Sequence, residues 1–132
     1  MVKINKIEII NERADFKRSR IIALKHGLRL LSLKIALIEI NKDKQLKQRL
    51  KGEWFYLDGK GSQLSGYYTF NDNGELTKGK GDIEKTVYVW KGKQPLSLGV
   101  HSVYNARLNG WRFLLNAFNV PQVVASVVVG FK

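Results

Sequence analysis

Arg13, Lys17 and Arg20 stand at i, i+4 and i+7, the spacing that puts three cations on one face of a helix. Lys44, Lys47 and Lys51 repeat the pattern, and Arg18 adds a further charge beside the first row. Rows of cations at this pitch can track phosphates, because each phosphate that is neutralised releases a counterion. Taken alone, any one of these lysines is more simply the solvated face of an amphipathic helix. The ensemble is harder to explain in that way. Residues 1–51 hold 14 Lys+Arg and 5 Asp+Glu, a net of +9 in a chain whose total is +12. Charge in excess of what solubility requires points to an anionic partner. The expectation is non-catalytic nucleic-acid binding, largely phosphate-directed, through Arg13, Lys17, Arg18, Arg20, Lys44, Lys47 and Lys51. The partner would be DNA or structured RNA. Basic and aromatic residues are segregated along the chain, which argues against a stacking platform for single strands.

Two other chemistries compete. Basic helices followed by an antiparallel sheet resemble, in architecture, small microbial ribonucleases. That resemblance implies a glutamate base, a histidine acid and arginines on the phosphate: Glu75 or Glu84, His101, and Arg107 or Arg112. The plainer reading of His101 is a half-exposed polar residue on a strand. The third reading is a ligand pocket lined by Trp54, Tyr56, Tyr68 and Trp90, for which core packing is the simpler account.

Several chemistries are excluded. With no cysteine there is no disulfide framework, thiolate metal site or catalytic thiol. Two histidines without metal-ligand spacing leave no expected metal, and no cofactor is implied. Gly59-Lys60-Gly61 and Gly79-Lys80-Gly81 lack the strand–loop–helix context of a phosphate loop and read as hairpin turns. No Gly-x-Ser-x-Gly nucleophile elbow is present.

The elements that would carry these residues divide near Gly52. Before it, Asn11 can cap a helix that Gly27 stops, and a second helix can run from Leu28 into the forties. Its apolar stripe, Leu28 to Ile40, is wide enough to cover a sheet or to pair with another subunit, giving a possible homo-oligomer. The first ten residues are ambiguous between a strand and a helical lead-in. From Gly52 onward lie 13 of the 14 aromatics and 11 of the 12 glycines. There the expected strands are Trp54–Leu57, Gly66–Phe70, Glu84–Trp90, Leu96–Tyr104, Trp111–Phe118 and Val123–Phe131, joined by Gly- and Asn-rich turns. The stretch Phe113–Phe131 has no charge, but Asn116, Asn119, Pro121 and Gln122 favour a buried strand pair over a membrane span.

The segment Gly52-Glu-Trp-Phe-Tyr-Leu-Asp-Gly-Lys-Gly with Gly66-Tyr-Tyr-Thr-Phe-Asn-Asp-Asn-Gly-Glu-Leu is similar to choline-binding cell-wall repeats. There the aromatics of successive hairpins box a quaternary ammonium. No third copy follows, and such solenoids need several to bury a core. Residues 109–132 resemble the closing strands of RelE-like toxins, without the compact pattern that should precede them. Neither resemblance assigns a family. The fold class expected is α+β in a single domain, 1–132. A basic N-terminal helical segment of one or two helices precedes an antiparallel β-meander or barrel-like sheet of about six strands. A soluble cytoplasmic protein is the expected setting.

Overall fold

Asp15, not Asn11, starts the first helix. Its side chain accepts from the Arg18 backbone N–H at 2.8 Å, satisfying one of the donors a helix start leaves open. Asn11, Glu12 and Arg13 belong instead to strand β1 (Ile7–Ala14), and α1 runs over Phe16–Lys25. Gly27 ends α1 as expected, with φ +70° and the Leu28 N–H returning to the Ala23 carbonyl at 2.8 Å. The structure, a computed structural model, describes residues 7–58, 66–81, 86–89 and 92–132.

The apolar run from Leu28 to Ile40 is not one helix. Arg29–Leu30 form β2, and Ser32 then caps α2 (Leu33–Lys42) by accepting from the Ile35 N–H at 3.3 Å. Asp43 caps α3 (Lys44–Arg49), accepting from the N–H groups of Gln45 and Leu46. The run carries both periodicities. Its first residues use the alternating one and its later residues the helical one.

Seven further strands follow: β3 (Trp54–Tyr56), β4 (Gly66–Phe70), β5 (Leu76–Lys78), β6 (Thr86–Val89), β7 (Leu96–Asn105), β8 (Gly110–Asn119) and β9 (Ser126–Phe131). The fold is α+β, but the strands make two sheets and not a closed barrel. One sheet has the order β1-β9-β2 and the other β3-β7-β8-β6-β4-β5. A simple meander is also corrected, since β6 and β8 run parallel, meeting at Val89 and Ala117. The expected hairpin around Pro121 does not form, because β8 and β9 belong to different sheets. The reason lies in β9 itself. Ser-Val-Val-Val-Gly is buried on both faces, as a central strand is, and it takes β1 and β2 as its two neighbours.

The main core lies between the inner face of the larger sheet and α2. Phe55, Leu98, Val100 and Ala117 meet Leu33, Leu37 and Ile40, with Val127 and Val129 closing one side. The buried part of the Leu28–Ile40 stripe is thus covered within the chain. A smaller core packs Ile22 and Ala23 of α1 on Val128, Leu28, Leu30 and Tyr56. No described helix is long and apolar enough to cross a membrane.

Candidate ring stripe on the outer sheet face

Alternation decides which side chains leave the core. In β3 Phe55 points inward, so Trp54 points out; in β6 Val87 and Val89 point inward, so Tyr88 points out. The same parity turns out His101 on β7, Phe118 on β8 and Tyr67 on β4, where Leu98, Val100, Leu115, Ala117 and Tyr68 take the inner face. Five adjacent strands, β3-β7-β8-β6-β4, therefore each place one ring on the outer face.

The ring contacts run in the order His101, Trp54, Phe118, Tyr88, Tyr67. Trp54 lies 4.9 Å from His101 and 5.9 Å from Phe118 between ring centroids. Phe118 lies 6.3 Å from Tyr88, and Tyr88 4.9 Å from Tyr67. Lys80 holds its ammonium 4.5 Å from the Tyr67 ring centroid, a cation–π contact at the end of the row. With strands ~4.8 Å apart, the row spans ~19 Å across the sheet. All five rings keep solvent contact, Tyr67 most at 41%. Asn116 and Thr69 share this face by register, between and beside the rings.

Gly99 makes the Trp54 end possible. A Cβ there would stand 2.5 Å from His101 Nε2 and 2.9 Å from two Trp54 ring carbons. The two rings thus lie over bare backbone, which only glycine provides at that spacing. Burial pushes the His101 imidazole below its usual proton affinity, and its Nε2 is buried without a hydrogen bond among the described residues.

Other residues singled out in the sequence are distributed differently. Of the four pocket candidates, Trp54 is in the stripe and Tyr68 faces the main core. Tyr56 is buried in the smaller core, its hydroxyl shared between the Pro121 and Val124 carbonyls at 2.8 and 2.6 Å. Trp90 lies outside the described residues, as does Glu84. Glu75 sits in the β4–β5 turn, its carboxylate accepting from Asn71, and three strands separate β5 from His101 on β7. Arg112 is nearer: it is two residues from Leu114, the register partner of His101. Arg107 lies in the β7–β8 turn. A glutamate–histidine pair is not assembled from Glu75 and His101.

The cations divide as well. Arg13, on β1, is held by Glu53 at 2.8 Å and shares a surface recess with Arg49 and Lys51. Lys17 and Arg20, on α1, line a different recess with Leu24 and Arg29, and Arg18 is exposed on the same helix. Lys44 and Lys47 are on α3, where Lys47 is half-buried. Burial first, then the charges of Arg112 and Lys44, hold its ammonium below the usual lysine range.

The stripe residues Phe118 and Gly99 were not singled out by sequence spacing. The signal was available in each strand, as the aromatic out of phase with its core neighbours. What sequence lacks is the strand order that brings these rings together.

The chain matches no protein-family model, and no curated protein matches it. Among solved structures it is similar to TC14, a C-type lectin from the tunicate Polyandrocarpa misakiensis. The two are 14% identical, each chain is covered over 98% of its length, and the TM-score is 0.46. The expected nucleic-acid binding by a basic helical face is corrected. The face itself does not form: β1 ends at Ala14, so Arg13 is on a strand and ion-paired, while Lys17 and Lys51 line separate recesses. The +9 of the first 51 residues is a property of sequence position and not of one surface.

Proposed function

We propose that the protein binds a glycan chain laid along the ring stripe of its larger sheet. One observation carries this reading: Trp54, His101, Phe118, Tyr88 and Tyr67 form a contiguous row on the outer face, one ring from each of five adjacent strands. The faces of such rings are electron-rich, and the C–H groups on the flatter side of a pyranose are weakly positive, so the two stack. Sugar hydroxyls then need polar partners at the edges, and Asn116, Thr69 and Lys80 border the row. A row running across the strands suits an extended polymer better than a small compact ligand, which would need a concave pocket. The mechanism is binding alone: the rings orient the chain, and no acid or base is required of them.

The reading is tested by screening the full chain against immobilised oligosaccharides, followed by calorimetry on any that bind. Replacing Tyr67 or Tyr88 by alanine removes one stacking contact, worth ~1 kcal/mol, and should weaken binding about fivefold. Absence of binding to every glycan class, or binding that survives both substitutions, would refute it.

A further inference from the structure

Helix α1 has two faces with different surroundings. Ser19, Ile22 and Ala23 are buried, the last two in the smaller core. Lys17, Arg20, Ile21 and Leu24 follow at i, i+3, i+4 and i+7 on another face, and all four are exposed. A helix whose one task was to cover a sheet would carry polar residues there. Instead Ile21 is 44% and Leu24 75% exposed.

That face is one wall of a surface recess of about 360 Å³. Leu28 and Leu30, 3% and 6% exposed, lie at its bottom, and Arg29 of β2 and Asp58 complete the lining. The volume falls within the ~300–1,000 Å³ range of small-molecule sites. Its apolar part is aliphatic throughout. Among the described lining residues there is no aromatic ring, hydroxyl or amide side chain. A sugar, nucleotide or peptide would find no neutral side-chain partner there for its hydroxyls or amides. An alkyl chain needs none.

The same recess is cationic. Lys17, Arg20 and Arg29 against the single carboxylate of Asp58 give the described lining a net of +2. Both arginines lie over rings. The Arg20 guanidinium carbon is 5.8 Å from the Phe16 ring centroid, and that of Arg29 is 5.7 Å from Phe131. Arg29 and Phe131 are also register partners of β2 and β9, which fixes where this cation stands. Neither arginine is in an ion pair with a described residue. A stacked guanidinium still presents the N–H groups of its edge, and it meets a two-oxygen anion with less ordering left to do than a free side chain.

We propose that this recess binds a single-chain anionic amphiphile, an alkyl chain with a carboxylate or phosphate head. The chain covers Ile21 and Leu24 against Leu28 and Leu30, and Arg20, Arg29 and Lys17 hold the head. The site shares no residue with the ring stripe and does not depend on glycan binding.

The test is calorimetry of the full chain with decanoate and with decyl phosphate, each kept below its micelle threshold. Amide chemical shifts then locate the ligand. Binding is expected with shifts centred on residues 17–30, and the tighter of the two ligands names the head. Decanol and acetate, which carry the chain or the head alone, should bind at least tenfold more weakly. Ile21→Gln with Leu24→Gln keeps residues that suit a helix and should weaken binding about tenfold. Arg20→Gln with Arg29→Gln should do the same, as should added salt. All four positions are exposed, so melting should stay close to that of the parent. No binding of either amphiphile overturns the proposal. Equal affinity for decanol overturns it too, because the cations would then play no part. So does binding that survives both pairs of substitutions, or parent shifts centred elsewhere, a readout that needs no variant. Flotation with phosphatidylserine vesicles, without binding of the soluble amphiphiles, overturns it in favour of a lipid surface. Self-association abolished by the Ile21 and Leu24 changes, again without ligand binding, overturns it in favour of an interface between copies.

Discussion

Replacing Gly99 by alanine tests whether the Trp54 end of the stripe is built as described. The backbone at Gly99 is not in the left-handed region, so alanine meets no conformational penalty there and the whole effect is steric. The added Cβ would stand 2.5 Å from His101 Nε2 and 2.9 Å from Trp54 Cδ2 and Cε3, well inside contact distance. Overpacking commonly costs ~1–3 kcal/mol. Both rings are half-exposed and can swing toward solvent, which places this change at the low end, ~1 kcal/mol. For a chain of this size that is ~3–5 °C in melting temperature. Gly130→Ala is the matched comparison. There the new Cβ would lie 2.7 Å from Leu28 Cβ, and Leu28 is only 3% exposed with nowhere to move. Its cost should reach the upper end, ~3 kcal/mol. Circular-dichroism melting gives the two stabilities, and tryptophan emission reports whether the Trp54 ring has lifted from His101. The expected pattern is a small stability loss with a clear emission change for Gly99→Ala, and a large stability loss for Gly130→Ala. Unchanged emission in Gly99→Ala, or a stability loss there as large as at Gly130, would refute the reasoning.

Three further outcomes follow from single contacts. Tyr56→Phe removes the hydroxyl shared by the Pro121 and Val124 carbonyls in a residue that is 1% exposed, and denaturant titration should show a loss of ~1–2 kcal/mol. His101 is held neutral by burial, so the unfolded chain takes up a proton more readily than the folded one below the ordinary value of 6.5. Stability should therefore fall as pH drops through that value, and His101→Phe should flatten the slope of melting temperature between about pH 7.5 and 5.5. Asp43→Ala removes the oxygen that accepts from Gln45 and Leu46, and helix α3 should loosen at a cost of ~1 kcal/mol, seen as faster amide exchange over residues 44–49.

What the sequence made legible was local. Alternation and turn residues located Gly66–Phe70, and came within one or two residues on β7, β8 and most of β3, while Gly27 marked the end of α1. The misreadings share a cause. Asn11 and Asp15 are both good caps, and the choice between them was made by β9, whose buried valines require β1 as a partner through Ala14. Arg29–Leu30 is too short to be a strand by its own pattern, and is one because it pairs with Gly130–Phe131 a hundred residues later. Leu76–Lys78 likewise depends on β4. Each was decided by a partner distant in sequence.

The candidate site follows the same logic more sharply. Strand parity alone assigns Trp54, Tyr88 and Phe118 to the side away from the core, since each alternates with a buried residue. Parity cannot say that β8 lies between β7 and β6, and without that order Phe118 does not join Trp54 to Tyr88. The parallel β6–β8 contact is the step that makes five separate rings into one row. Charge behaved in the opposite way. The basic residues are clustered in sequence, and the first strand, one ion pair and two capped helices dispersed them over separate surfaces. Sequence clustering is evidence for a site only where the intervening backbone is known to keep those residues on one face. Here that condition failed for the cations and was met, across strands, by the rings.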